Sequence, residues 1–137
     1  MSWKAILLLK AIFMSYKRKK QGRDHEELAV SYLIKNGYQI IKRNYTFFHG
    51  EIDIVAQEKD FLVFVEVKSR NSIRYGQAIE SLTQKQQKKI CQTALGFIKN
   101  HQITDPNVRF DVVAIQNDWK QGMSIQLIKN AFPFRLE

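Results

Sequence analysis

The chain has 137 residues, 45% hydrophobic and 26% charged, which fits one domain with a substantial core and excludes a low-complexity or disordered protein. Lys and Arg number 22 against 13 Asp and Glu, and a formal charge of +9 makes a polyanion the default partner, nucleic acid ahead of an anionic membrane surface. One cysteine, Cys91, excludes an internal disulfide, and the scattered His25, His49 and His101 give no zinc-ligand spacing, so a cytoplasmic setting is expected.

Residues 1–21 form an apolar and basic extension, and residues 22–137 the main domain. The extension reads MSWKAILLLKAIFM and then runs into Lys17-Arg18-Lys19-Lys20. Its apolar part is too short to cross a bilayer and is interrupted by Lys4 and Lys10, so no integral membrane span is expected. No small-residue cleavage site follows it, which disfavours a signal peptide. An amphipathic helix lying on the body, a partner or a membrane surface is expected, outside the main core.

In the main domain the spacing predicts a helix over Gly22–Asn36 that stops at Gly37, with Leu28, Ala29, Tyr32 and Leu33 facing inward. Strands follow at Tyr38–Phe47, Glu51–Gln57 and Asp60–Arg70, the middle pair joined by the polar turn Gln57–Asp60. A loop holding Tyr75-Gly76 leads to a helix over Thr83–Asn100, with Thr83 as N-cap and Ile90, Cys91, Ala94, Leu95 and Ile98 inward. Cys91 reads as a core thiol and His49 as an ordinary loop residue. The turn Asp105-Pro106-Asn107 precedes strands at Val108–Gln116 and Ser124–Lys129. This order predicts an α/β sandwich with helices on a mixed central sheet.

The chemistry concentrates in GEIDIVAQEKDFLVFVEVKSR, Gly50–Arg70. A hairpin symmetric about Glu58-Lys59 pairs Asp53 with Phe64. One face then carries Ile52, Ile54, Ala56, Phe61, Val63, Val65 and Val67, all apolar. The other carries Val55, Leu62 and Phe64 near the turn, and Glu51, Asp53, Glu66, Lys68 and Arg70 farther along. A one-residue slip would put Asp53 among core valines. Asp53 and Glu66 are then diagonal neighbours, able to hold one hard divalent ion, for which magnesium suits because it needs few carboxylates. Lys68 points to the same side and can stabilise developing negative charge or help orient and deprotonate a water. Solvated charges on an exposed strand are the plainer alternative, but Glu26 adds weight. On the helical wheel Glu26 sits at the edge of the buried stripe and Glu27 on the outer face, and a carboxylate aimed at a sheet needs a partner.

The motifs Gly22-x-x-x-Glu26, Gly37-Tyr38, Arg43-Asn44-Tyr45, Gly50-Glu51-Ile52-Asp53, Phe64-Val65-Glu66-Val67-Lys68-Ser69-Arg70, Tyr75-Gly76-Gln77-Ala78 and Arg109-Phe110-Asp111-Val112-Val113 occur in order over about residues 22–130. They resemble the YraN-type family of bacterial proteins, similar in fold to archaeal Holliday-junction resolvases and restriction endonucleases. The resemblance implies a restriction-endonuclease-like fold and a nuclease site in which Glu26, Asp53, Glu66 and Lys68 are catalytic. It implies magnesium, or manganese, held by Asp53, Glu66 and the backbone carbonyl of Val67.

The expected activity is metal-dependent hydrolysis of DNA phosphodiesters by an endodeoxyribonuclease, with structure-selective cleavage in repair, recombination or DNA processing as the finer expectation. The alternative is a non-catalytic nucleic-acid-binding accessory protein. Arg23, Arg70, Arg74, Lys85 and Lys88 are the expected phosphate contacts. A homodimer is a further expected assembly, since many enzymes of the resembled fold cut two strands by pairing subunits.

Overall fold

The computed structural model describes residues 2–70, 75–118, 120 and 122–136, with the backbone alone for residues 21, 22, 70, 75–77 and 118. In chain order its elements are α1 (Trp3–Lys35), β1 (Gln39–Phe47), β2 (Gly50–Glu58), β3 (Phe61–Arg70), α2 (Tyr75–Glu80), α3 (Gln84–Asn100), β4 (Asn107–Asp118) and β5 (Gly122–Phe132). The strands form one sheet in the order β1-β2-β3-β4-β5, antiparallel except for the parallel pair β3–β4. A parallel pair needs a crossover, and α2 and α3 supply it.

Helices cover both faces. Against α1, Ala29 and Leu33 pack on Ile54, Ala56, Val63, Val65, Val113 and Ile115. Against α2 and α3, Leu82, Cys91, Ala94 and Phe97 pack on Val55, Phe64, Phe110 and Val112. Alternation along β3 and β4 assigns one residue to each layer in turn. This is the α/β sandwich with a mixed sheet that the element order predicts.

The ends of the helices follow their sequences. Asn36 caps α1, and Gly37 takes φ 88°, so Tyr38 N–H reaches the Leu33 carbonyl and Gly37 N–H that of Ile34, a Schellman stop. Thr83 Oγ1 accepts from Gln86 N–H while Gln86 Oε1 accepts from Thr83 N–H, a reciprocal cap on α3. Two glycines let α3 close on the sheet. A Cβ on Gly50 would stand 1.9 Å from Thr93 Oγ1, and one on Gly96 2.5 Å from the Phe47 ring.

Four expectations need correction. The first helix does not begin at Gly22 but runs unbroken from Trp3. Strong helix formers fill the segment, and one internal glycine costs about 1 kcal/mol without stopping a helix. Tyr75-Gly76 opens the short helix α2 rather than a loop. On α3, Phe97 is buried and Leu95 is only half-buried, because the helix meets the sheet one residue round from the expected stripe.

The fourth concerns the hairpin. Its turn is Lys59-Asp60, with Lys59 at φ 55°, and the pairs are Glu58↔Phe61, Val55↔Phe64 and Ile54↔Val65. Asp53 is therefore not opposite Phe64. The shift is an even number of residues, so the residues in the paired part of the hairpin, from Ile54 to Val65, keep their faces. Ile52 also leaves its expected face: it lies in the α3 layer with Tyr45, while Ile54 lies in the α1 layer. The cause is local. Pairing of β2 with β3 is continuous only to Ile54↔Val65, and on β1 Asn44, between the paired Arg43↔Ile54 and Tyr45↔Ile52, adopts φ 52°. Asparagine tolerates that left-handed conformation better than most residues. The hairpin switches faces at Asp53.

Behind the turn lies a buried charge network. Arg109 Nε and Nη2 donate to the two oxygens of Asp111 at 2.9 Å each, and Nη2 also reaches Glu58 and the Tyr38 hydroxyl at 3.0 Å. Tyr38 donates to Asp111 at 2.6 Å, Asn130 N–H donates to it at 2.9 Å, and Lys129 donates to Glu58 at 3.1 Å. Asp111 is wholly buried with every partner supplied. Pairing Glu58 with Phe61 rather than leaving Glu58 in the turn puts this carboxylate into the network, a physical reason for the observed register.

Candidate active site

Where the pairing of β2 and β3 stops, the side chain of Asp53 takes over: its Oδ2 accepts from Val67 N–H at 2.8 Å. Glu66 is the next residue after Val65 on β3, and Lys68 lies two farther on. Opposite them in the parallel register stand Val112 and Ala114 of the α3 layer. Glu66 and Lys68 thus lie on that side of the sheet. Glu26 comes from α1, on the other side, with its side chain 16% exposed against 64% for Glu27. The helical wheel anticipates this division. The face switch at Asp53 lets groups from both layers act on one carboxylate.

The electrostatics are those of crowded, poorly hydrated acids. Burial pushes the Asp53 carboxyl up to about 6, and repulsion from Glu26 and Glu51 adds to it, while Val67 N–H and Lys68 oppose the rise. Burial and then repulsion from Asp53 push Glu66 up to about 8, against the pull of Lys68 and the Asp53 backbone amide. Two buried oxygens, Glu66 Oε1 and Glu26 Oε1, have no hydrogen-bond partner. Such orphans are uncommon in folded proteins and call for an explanation.

Neighbours hold these groups in place. Ser69 Oγ lies 2.6 Å from His25 Nδ1, joining the residue after Lys68 to the residue before Glu26. Arg43 on β1 forms an ion pair with Glu27 at 2.6 Å, and its Nε lies 3.9 Å from Glu26 Oε1. Sequence reading gave no site role to His25, Ser69, Arg43 or Glu51. Arg43 and Ser69 lie in the family motifs, which was their one signal. His25 carried none.

The residues present fit a hard divalent ion. Asp53 and Glu66 offer carboxylate oxygens, and the Glu66 orphan and the raised pair both describe a place where positive charge is wanted. Among the described residues no group of three or more His, Cys, Asp or Glu stands close enough to hold a metal alone. Two carboxylates with a backbone carbonyl suit magnesium, which keeps much of its water, better than calcium or zinc.

The expected phosphate contacts are scattered. Arg23, Lys85 and Lys88 are exposed, Arg23 on α1 two residues from His25 and the lysines on the outer face of α3. Arg70 ends β3 with its side chain outside the described residues, and Arg74 lies wholly outside them. His49 is an exposed turn residue, and Cys91 is buried, its thiol pushed up by burial.

A mixed sheet between helices, with Asp53, Glu66 and Lys68 gathered where two strands part, defines a restriction-endonuclease-like α/β domain. The chain belongs to the uncharacterised protein family UPF0102, whose family model matches residues 25–115 and which is the YraN family that the motifs resemble. It is 42% identical over 123 residues to a UPF0102 protein of Desulfosudis oleivorans, covering 90% of this chain and 98% of the relative. It is 47% identical over 116 residues to one of Caldicellulosiruptor bescii, covering 83% and 98%. A UPF0102 protein of Clostridium acetobutylicum is 42% identical over 115 residues, covering 83% and 94%.

Proposed function

We propose that this protein is a magnesium-dependent nuclease that hydrolyses DNA phosphodiesters, with manganese as an alternative ion. The observation that carries this reading is the acid pair Asp53 and Glu66, Asp53 raised by burial and by Glu26 and Glu51, Glu66 by burial and by Asp53, with the unpartnered Glu66 Oε1 beside it. Buried carboxylates with an unfilled oxygen and one lysine are what a cation and a phosphate would jointly satisfy.

Asp53 and Glu66, with the Val67 carbonyl, would hold the ion, and Val67 N–H fixes the Asp53 carboxylate through Oδ2. A bound divalent ion would supply an acidified water and neutralise charge on the scissile phosphate. Lys68 supplies a positive charge for the negative charge that develops on phosphorus oxygens, and in neutral form it can accept a proton from the attacking water. Glu26 borders the pair and can orient water through Oε1, which faces Arg43 at 3.9 Å but accepts no hydrogen bond. The half-buried setting of Lys68 strengthens its pull on phosphate relative to a solvated lysine.

The test is the full chain with magnesium or manganese on linear, nicked, flapped and four-way DNA. Metal-dependent cleavage lost in Asp53→Asn and in Glu66→Gln is the expected result. DNA binding without cleavage of any substrate under either ion would instead support the non-catalytic nucleic-acid-binding reading.

A further inference from the structure

The first half of α1 belongs to neither layer of the core. From Trp3 to Lys20 every side chain is exposed or half-exposed, and the first buried residue described on the helix is His25. These eighteen residues span about 27 Å at 1.5 Å per residue. Large apolar side chains stand in water along the whole stretch: Trp3 is 76% exposed, Leu8 62%, Leu9 53%, Ile12 57% and Phe13 56%. A contiguous apolar surface of this kind on a soluble domain marks an interaction site.

Its distribution is two-sided. At 3.6 residues per turn, Ile6, Leu8, Leu9, Ile12, Phe13 and Tyr16 fall within an arc of roughly 160°, while the remaining arc mixes Lys4, Lys10 and Ser15 with Trp3, Leu7 and Met14. Lys17 Nζ leans over the Phe13 ring at 4.8 Å, at the border between them.

The charge is more lopsided still. Seven of the 22 basic residues, and none of the 13 acidic ones, lie in residues 1–23. Residues 1–23 therefore carry seven of the nine net positive charges, and the rest of the chain is close to neutral at +2. Seven like charges oppose pairing with a second copy of the same helix. A duplex offers phosphates but nothing to cover an arc of leucine, isoleucine and phenylalanine. An anionic lipid surface offers both: headgroup charge for the lysines and an acyl boundary for the apolar arc.

We infer that residues 3–20 of α1 are a membrane-surface helix that docks the domain on anionic lipid. The apolar arc enters the headgroup–acyl boundary, with Trp3 suited to that depth. The run Lys17-Arg18-Lys19-Lys20 lies at the headgroups. The helix does not cross: no helix among the described residues is long and apolar enough to do so. The inference stands apart from whether the Asp53–Glu66 site cleaves DNA.

The test is sedimentation of the full chain with vesicles of phosphatidylcholine, alone and mixed with roughly one-third phosphatidylglycerol. Binding to the anionic vesicles alone, weakened by salt, is expected. Leu9→Glu/Phe13→Glu, in the apolar arc, should weaken it about tenfold or more, and Leu7→Glu/Met14→Glu, of equal charge on the other arc, by less than about threefold. Thermal unfolding of both variants should match the parent, since neither pair touches the core. Failure to bind anionic vesicles at low salt, or equal loss in the two variants, overturns the proposal. So does a dimer in sedimentation equilibrium that Leu9→Glu/Phe13→Glu dissolves, which would make the occupant a second copy. Loss of duplex DNA binding in that variant, with vesicle binding intact, would make it nucleic acid.

Discussion

The Ser69 hydroxyl lies 2.6 Å from His25 Nδ1, and this contact helps to tie the C-terminal end of β3 to α1. Each partner adjoins a site residue, His25 next to Glu26 and Ser69 next to Lys68. The contact fixes the helix against the strand at the point where the two must cooperate.

Ser69→Ala should therefore lower kcat for DNA cleavage by about 10- to 100-fold, as losses of supporting partners commonly do, with little change in KM. Loss of the His25 bond itself should cost only about 1 kcal/mol of global stability, the usual worth of one hydrogen bond. Ser69→Thr, which keeps the hydroxyl, should retain most activity. Single-turnover rates beside urea titrations check this, and a loss of stability in proportion to activity would reduce the pair to a structural tie.

Asp53→Asn and Glu66→Gln should each lower metal-dependent cleavage by about a hundredfold or more while DNA binding holds or tightens. Removing a carboxylate weakens the ion site and relieves repulsion toward phosphate. Gel-shift and cleavage assays on the same preparations separate the two effects.

Without metal, stability should fall as pH rises from about 4 to 8, since burial raises Asp53 to about 6 and Glu66 to about 8. Over that window the folded chain keeps protons that the unfolded chain has released, so the slope of stability against pH is negative. The effect is on the order of a few kcal/mol across the pair. Glu58 acts oppositely: its bonds to Lys129 and Arg109 hold it below the ordinary range, and its contribution is lost in acid. Magnesium should raise the melting temperature at pH 8, and Asp53→Asn should remove that response. Melting curves at several pH values, with and without magnesium, provide the measurement. A metal-free chain that is most stable at pH 8 would contradict this account of the pair.

Asp111→Ala should cost about 3–5 kcal/mol, because it leaves the buried Arg109 guanidinium without its bidentate partner. Chemical denaturation measures it directly. A loss below about 1 kcal/mol would mean that Glu58 and Tyr38 alone compensate the arginine.

Much of this was legible from residue order because alternation leaves few choices. The apolar residues from Ile54 to Val65 kept their expected faces, because the shift of register is even. The inward Glu26 and outward Glu27 followed from helical spacing alone. Ile52 was misplaced because alternation assumes a regular strand, and nothing local announces a break at Asp53 except the asparagine across from it. The helix start was misplaced because the eye stops at Gly22, where the backbone does not. The +9 charge pointed to nucleic acid, yet most of it sits on the exposed half of α1, a distribution that the total conceals.

The left-handed turn of Asn44 has a consequence for how this fold tolerates change. An exposed asparagine on an edge strand would ordinarily be free to vary. Here its conformation accompanies the change of side that sends Ile52 to one layer and Ile54 to the other. A β-branched residue at position 44 would favour a straight strand, turning Ile52 back toward α1 and aligning Asp53 wholly with one surface of the sheet. The sheet would then stand between Glu26 and the other acids as a wall, and a substitution at the rim would dismantle the centre without touching any residue in it.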